Sequence, residues 1–127
     1  MTPPLVIIDS ANVVGSVPDG WWRDRAGATE RLRDNLATLA TDGLPGTGAP
    51  EPPWEVVLVV EGRASKVRGT DQVRVVVAAG SGDDAIVDLV RTEGADRPTV
   101  VITADRELRH RVSAIGASVL GPRTVRR

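Results

Sequence analysis

Carboxylate residues follow apolar, strand-like segments at four places in this sequence. The segments and their acids are Leu5–Ile8 with Asp9, Val56–Val60 with Glu61, Val73–Ala79 with Asp83 and Asp84, and Thr99–Ala104 with Asp105. In an α/β sheet the functional crevice lies outside the carboxyl ends of the strands, so these acids are expected to converge. Converging carboxylates repel one another unless a cation or a shared proton relieves them. The pattern therefore predicts a divalent-metal site.

The expected ion is Mg²⁺ or Mn²⁺, because hard oxygen ligands suit these ions and argue against zinc. The predicted metal ligands are Asp9, Glu61, Asp83, Asp84 and Asp105. Each acid alone also has a plainer interpretation, since Asp caps helices and the helix dipole favours a carboxylate in the first turn. Four acids at the same end of four strands are poorly explained by capping alone, and this favours the metal site.

Composition limits the function classes. The chain has 127 residues, 16 basic and 17 acidic, and a net charge of −1, which predicts one domain over 1–127 and argues against bulk electrostatic binding of nucleic acid. The absence of Cys excludes disulfides, thiolate nucleophiles and Cys-type zinc sites. The single His110 is expected on the exposed side of a helix, which leaves Ser–His chemistry without a candidate. No signal peptide or membrane span is visible, so we expect a soluble, cytoplasmic protein.

The apolar periodicity predicts strands alternating with helices, and hence a mostly parallel sheet covered on both faces. The expected strands are 5–9, 54–61, 72–79, 99–103 and 118–120, and the expected helices are 24–41, from 81 or 83 to 94, and 105–116. A loop is expected directly after the first strand. In the last helix Leu108, Val112 and Ile115 should face inward, and Arg123–Arg127 should form a frayed tail.

Basic residues next to the acids provide candidate contacts to a phosphate backbone. Arg63, Lys66 and Arg68 follow Glu61, and they would flank the acidic site. A solvated loop explains these three equally well. The pair Trp21–Trp22 stands beside Arg23 and Arg25, and aromatic rings with Arg can stack on unpaired bases. The simpler interpretation is that at least one Trp anchors the first helix to the sheet.

Three segments together resemble a known family. Ile7–Val14 resembles the opening of bacterial NYN domains, which belong to the PIN-like ribonucleases. Gly82–Val90 resembles their central acid and helix, and Val101–Leu108 resembles the Thr-x-Asp-Arg element at the end of their fourth strand. The match runs from about residue 5 to 120 in the right order. The resemblance implies an α/β, PIN-like three-layer fold with a mostly parallel central sheet, and metal-dependent cleavage of RNA.

Carried over by position, the resemblance implies that the catalytic residues are Asp9, Asn12, Asp83 and Asp105. Asn12 would orient Asp9 or touch the substrate, and Arg106 would orient the substrate or the acids. Glu61 stands where relatives often carry Asp before Gly, a change that keeps the charge and lengthens the reach.

The predicted function is therefore a ribonuclease dependent on Mg²⁺ or Mn²⁺, with RNA as partner, no membrane association, and a sequence compatible with a homodimer. One alternative is a non-catalytic RNA- or protein-binding module on the same fold. It gains nothing from an acidic centre that repels phosphate. A second alternative is a phosphatase or a receiver-type acidic pocket. A receiver needs a Lys near the acids, and Lys66 is the one Lys in the sequence.

Overall fold

A five-stranded, all-parallel sheet forms the centre of the fold in a computed structural model that describes residues 2–125, apart from the Arg63 side chain. The order across the sheet is β3-β2-β1-β4-β5. The strands are β1 (Leu5–Asp9), β2 (Glu55–Val60), β3 (Val73–Val77), β4 (Thr99–Ile102) and β5 (Ser118–Leu120). The parallel sheet expected from the alternation of strands and helices is confirmed.

Helices cover both faces of this sheet and complete a three-layer α/β/α fold. They are α1 (Ser10–Val14), α2 (Arg25–Leu36), α3 (Leu39–Asp42), α4 (Gly82–Glu93) and α5 (Arg106–Ser113), with 3₁₀ turns at Trp21–Arg23, Gly62–Ala64 and Pro122–Thr124. Side chains alternate along each strand, so Val6 and Ile8 pack on the side of α1–α3, whereas Leu5 and Ile7 pack under α4 and α5. Across the described residues, every helix is too short or too polar to cross a bilayer.

The helix expected over 24–41 is divided in two, and this expectation was wrong. α2 ends at Leu36, and the chain resumes as α3 at Leu39. At the end of α2 the Ala37 backbone N–H donates to the Asp34 carbonyl oxygen three residues back, at 3.3 Å, which tightens the last turn, and the following Thr38 has a low helix propensity. Apolar residues at helical spacing in this segment are nevertheless buried, because both helices turn the same side toward the sheet; they are Ala28, Leu32, Leu36 and Leu39.

Three other local expectations also fail. The residues after β1 form the short helix α1 rather than a loop, because the Asp9 side chain caps it. Ile115 is exposed rather than buried, since α5 ends at Ser113 and the chain turns at Gly116, where φ is 96°. The start of the expected tail forms the last 3₁₀ turn, and Arg126 and Arg127 lie outside the described residues.

The strand order fixes where a site can form. The chain passes from β1 to β2 and β3 on one side, and then crosses to β4 and β5 on the other side of β1. This reversal is a topological switch point, and ligands of open α/β sheets bind in the crevice outside the strand ends there. Asp9 ends β1, at that crevice.

Candidate functional site

Asp9 is the buried acid of the site. Its side chain is 7% exposed, and burial raises the pKa of its carboxyl above the ordinary value. Hydrogen bonds from the Thr103 hydroxyl and the Asn12 backbone N–H oppose the rise, whereas the charges of Asp83 and Glu61 add to it. Asp9 is therefore a carboxylate whose ionised form lacks full compensation within the folded chain.

Thr103 and Asn12 join the ends of β1 and β4 around Asp9. The Thr103 hydroxyl donates to Asp9 Oδ2 at 2.9 Å and accepts from the Asp105 backbone N–H at 3.1 Å. Asn12 Oδ1 accepts from the Ala104 backbone N–H at 2.8 Å. Asn12 thus ties the α1 turn to the segment after β4, which fits the orienting role considered for it. Thr103 was not among the site residues predicted from the sequence. Its position as the last polar residue before Asp105 could have indicated it.

Glu61 reaches from the end of β2 to the start of α4. One of its carboxylate oxygens, Oε2, accepts a hydrogen bond from the Gly82 backbone N–H. A Cβ at position 82 would lie 3.0 Å from that oxygen, so Gly82 permits the close approach. The longer side chain of Glu, compared with Asp, spans from one strand end to the neighbouring helix.

Asp83 lies in the first turn of α4, and its pKa is raised. Burial is the main cause, followed by the charges of Asp105 and Glu61, with Arg111 lowering the pKa and Glu107 raising it. The influence of Asp83 on Asp9 shows that α4 brings its carboxylate toward the end of β1. Asp9, Glu61, Asp83 and Asp105, here called the acidic cluster, therefore share one end of the sheet.

Asp105 and Glu107 contribute the part of the site that follows β4. Asp105 caps α5, and its Oδ1 accepts from the Leu108 backbone N–H at 2.9 Å. Asp105 therefore caps a helix, as the simpler interpretation predicted. Its charge also raises the pKa of Asp83. Glu107, one residue after Arg106, adds a further negative charge near Asp83. The sequence prediction missed it, because it sits within a helix turn and not at a strand end.

Asp84 lies apart from the acidic cluster. Its side chain is 74% exposed and accepts from Arg111 Nη2 at 3.0 Å, an ion pair between α4 and α5. As the described side chains stand, no group of three acids is gathered closely enough to hold a single ion. The donor set nevertheless fits Mg²⁺ or Mn²⁺, because every member is a carboxylate and two have raised pKa values.

The residues predicted to contact the substrate lie in the segment after Glu61 and at the start of α5. Lys66 is exposed and lines a shallow pocket together with Trp22 and Arg25. Arg68 is exposed, and its carbonyl oxygen accepts from Arg33 Nη1 at 2.9 Å. Arg106 is exposed at the start of α5, next to Asp105. The side chain of Arg63 lies outside the described residues, and His110 is exposed as expected.

Comparison with known proteins supports the fold assignment. No protein-family model matches the sequence, and no curated protein matches it. The fold is similar to crystal structures of Rae1 (YacP) from Bacillus subtilis, with a TM-score of 0.70 at 17% identity for one structure and 0.67 at 18% for its W164L mutant. Each comparison covers 94% of this chain and 70% of the other. The likeness supports a bacterial NYN-like fold of the PIN type.

The raised pKa values predict how stability depends on pH. Between the ordinary Asp pKa of 3.8 and the raised pKa of the folded state, the folded chain binds more protons than the unfolded chain. The contribution of Asp9 and Asp83 to the free energy of unfolding therefore falls as pH rises through that window. Asp83→Asn should flatten this fall and stabilise the metal-free chain at neutral pH, because the relieved repulsion outweighs the lost helix-dipole interaction.

Urea unfolding in chelator, from about pH 4 to about pH 7, measures this dependence. Asp88→Asn is the matched control, since Asp88 is exposed further along the same helix. A steeper dependence in Asp83→Asn than in the original chain would contradict the prediction.

The Thr103 hydroxyl supplies a second prediction. Thr103→Val keeps the side-chain shape and removes the donor to Asp9, so the pKa of Asp9 should rise further. We expect a loss of about 1.5–3 kcal/mol at neutral pH, the usual contribution of a hydrogen bond to a charged group. The loss should shrink at acidic pH, where Asp9 is protonated. Thr92→Val, at an exposed position of α4, is the control; an equal, pH-independent loss in both variants would refute the role of Thr103.

Proposed function

We propose that this chain is a ribonuclease that hydrolyses RNA phosphodiester bonds with Mg²⁺ or Mn²⁺ held at the acidic cluster. The observation that supports the proposal is that four carboxylates at the carboxyl ends of the strands influence one another electrostatically, with raised pKa values for Asp9 and Asp83. Of the ion pairs within the described part of the chain, none involves a member of the cluster. A cation from solution would relieve the repulsion.

The nature of the reaction is inferred from two further observations. The ordered motifs around Asp9, Asp83 and Asp105 resemble those of NYN domains, and the similarity to Rae1 (YacP) supports an NYN-like fold. An acidic centre repels a phosphate unless a cation is present. A phosphodiester could therefore bind at the acidic cluster only when the cation is bound there too. Lys66, Arg68 and Arg106 are exposed, and Arg106 directly follows Asp105 of the cluster, so it is the best placed of the three to contact a neighbouring phosphate.

The proposed mechanism assigns two kinds of role, one to the acidic cluster and one to the residues that position Asp9. Asp9, Glu61, Asp83 and Asp105 would hold the ion, which supplies Lewis-acid stabilisation of charge on the phosphodiester oxygens. Thr103 and Asn12 are positioning residues, because they fix the Asp9 carboxylate and tie β1 to the end of β4.

RNA cleavage tests the proposal directly. Asp9→Asn and Asp105→Asn should each lower cleavage of a labelled single-stranded RNA on the order of 100-fold or more, the scale on which losing one transition-state-stabilising group acts. The double variant should be little worse than either single variant, because the two residues act as a unit. Asp88→Asn should retain the original rate.

The outcomes of the cleavage assay separate the proposal from its alternatives. Cleavage that persists in chelator, or full activity of Asp9→Asn, would refute the assignment to these residues. Tight RNA binding without cleavage at any Mg²⁺ or Mn²⁺ concentration would instead support a binding module. Transfer of a phosphoryl group from a small donor to the chain would indicate a receiver-type pocket.

Metal binding can be measured without catalysis. An ion that binds only the folded chain stabilises it by about 2.7 kcal/mol when its concentration is about 100 times the Kd. Mn²⁺ should therefore raise the melting temperature relative to chelator, and Asp83→Asn should reduce the increase. Asp88→Asn should respond as the original chain does. Identical melting temperatures of the original chain in Mn²⁺ and in chelator would count against the metal site.

A further inference from the structure

A cleft of about 200 Å³ opens beside the acidic cluster. Ser10, which follows Asp9, and Glu61 line the end nearest the cluster. Val14 and Ala64 are buried side chains of the lining, and Trp21 forms another part of it. Sites for drug-sized ligands usually measure about 300–1,000 Å³, so this cleft suits a smaller, flat group.

The lining is built for a planar, uncharged ring. The Arg25 guanidinium lies 5.1 Å from the centroid of the Trp21 ring, and both residues line the cleft. Indole rings and guanidinium planes are both side-chain groups on which unpaired bases stack. Much of the remaining lining is apolar, which favours the face of a base over a second phosphate.

We propose that this cleft holds one unpaired nucleobase of the RNA, next to the phosphodiester at the acidic cluster. The proposal rests on the proposed function and specifies its substrate class as single-stranded RNA. A nucleotide joins a phosphate to a base, and here an acidic site for the phosphate adjoins a Trp–Arg cleft for the base. A base within a duplex would first have to leave its stack and its partner, at a cost of a few kcal/mol.

The two neighbouring tryptophans have different roles in this arrangement. Trp21 is partly buried, packs against the core and lines the cleft, whereas Trp22 is 51% exposed and lies outside it. Their rings meet edge to face, with centroids 5.9 Å apart. Trp22→Ala is therefore a matched control for Trp21→Ala.

Trp21→Ala also removes packing, so a second variant fills the cleft without removing any core side chain. Ala11 is exposed on α1 and lines the cleft. Ala11→Leu adds an apolar side chain at that position and keeps a good helix former. Thermal unfolding of each variant establishes that it is folded before binding is measured.

The experiment measures binding of a short, labelled single-stranded RNA in Mn²⁺, by fluorescence anisotropy at times before cleavage proceeds. The RNA is compared with versions that each carry one abasic nucleotide, and with the same strand in a duplex. In the original chain, one abasic position should weaken binding by about 5- to 150-fold, which corresponds to the contribution of one stacked base. Trp21→Ala and Ala11→Leu should each weaken binding of the intact RNA by a similar factor. Each variant should bind the RNA that carries this abasic nucleotide as tightly as the original chain does. Trp22→Ala should behave as the original chain.

Independent, multiplying losses from the abasic nucleotide and from Ala11→Leu would overturn the proposal, as would equal effects of Trp21→Ala and Trp22→Ala. Duplex bound as tightly as single strand would also overturn it. The cleavage assay distinguishes this failure from that of the proposed function. Metal-dependent cleavage with no effect of filling the cleft refutes the base site alone, whereas base-dependent binding without cleavage supports the base site and refutes the nuclease.

Discussion

Repulsion among the carboxylates at the end of the sheet is the constraint on which the site depends. A parallel sheet directs the carboxyl ends of all its strands to one edge, and this chain places an acid after four of them. Burial of Asp9 adds a desolvation cost, and Asp83 carries its charge close to Asp9, Glu61 and Asp105. The apolar core beneath, and the hydrogen bonds from Thr103 and Asn12, hold the acids in place despite this cost.

At the opposite end of the same sheet, acidic side chains form ion pairs with arginines. There Glu55, at the start of β2, accepts from Arg97 at 2.8 Å and lies 3.6 Å from Arg74. Arg74 also pairs with Glu93 at 2.6 Å. Acids are thus paired with arginines at the amino ends of the strands, whereas no described ion pair includes a member of the acidic cluster, and Arg111 offsets only part of the charge around Asp83. Perturbed titratable groups gather at functional sites, and this contrast within one sheet supports the metal site proposed above.

Sequence patterns predicted the strands, because apolar runs specify buried parallel strands, and they predicted that the four acids follow the carboxyl ends of those strands. Sequence patterns did not predict the features that depend on the geometry of individual turns. The break before Leu39 follows from the tightened last turn of α2, and the exposure of Ile115 follows from the turn at Gly116. Asp84 was grouped with Asp83, although neighbouring residues of a helix do not share a face and Asp84 turns to Arg111. Glu107 reaches the site only through the packing of α5 beside α4, which no local pattern encodes.

The local hydrogen bonds of the acids explain why no three of the described carboxylates are gathered for one ion. Asp9 is held by Thr103, Glu61 by the Gly82 backbone N–H, and Asp105 by the Leu108 backbone N–H. Each donor stabilises one charge and draws that side chain toward its own strand end or helix start. A cation bound as proposed would compete with these donors, so its net effect on stability would be the relief of repulsion minus the hydrogen bonds it displaces. Under the proposed function, affinity for the ion would therefore depend on the same turns that build the site.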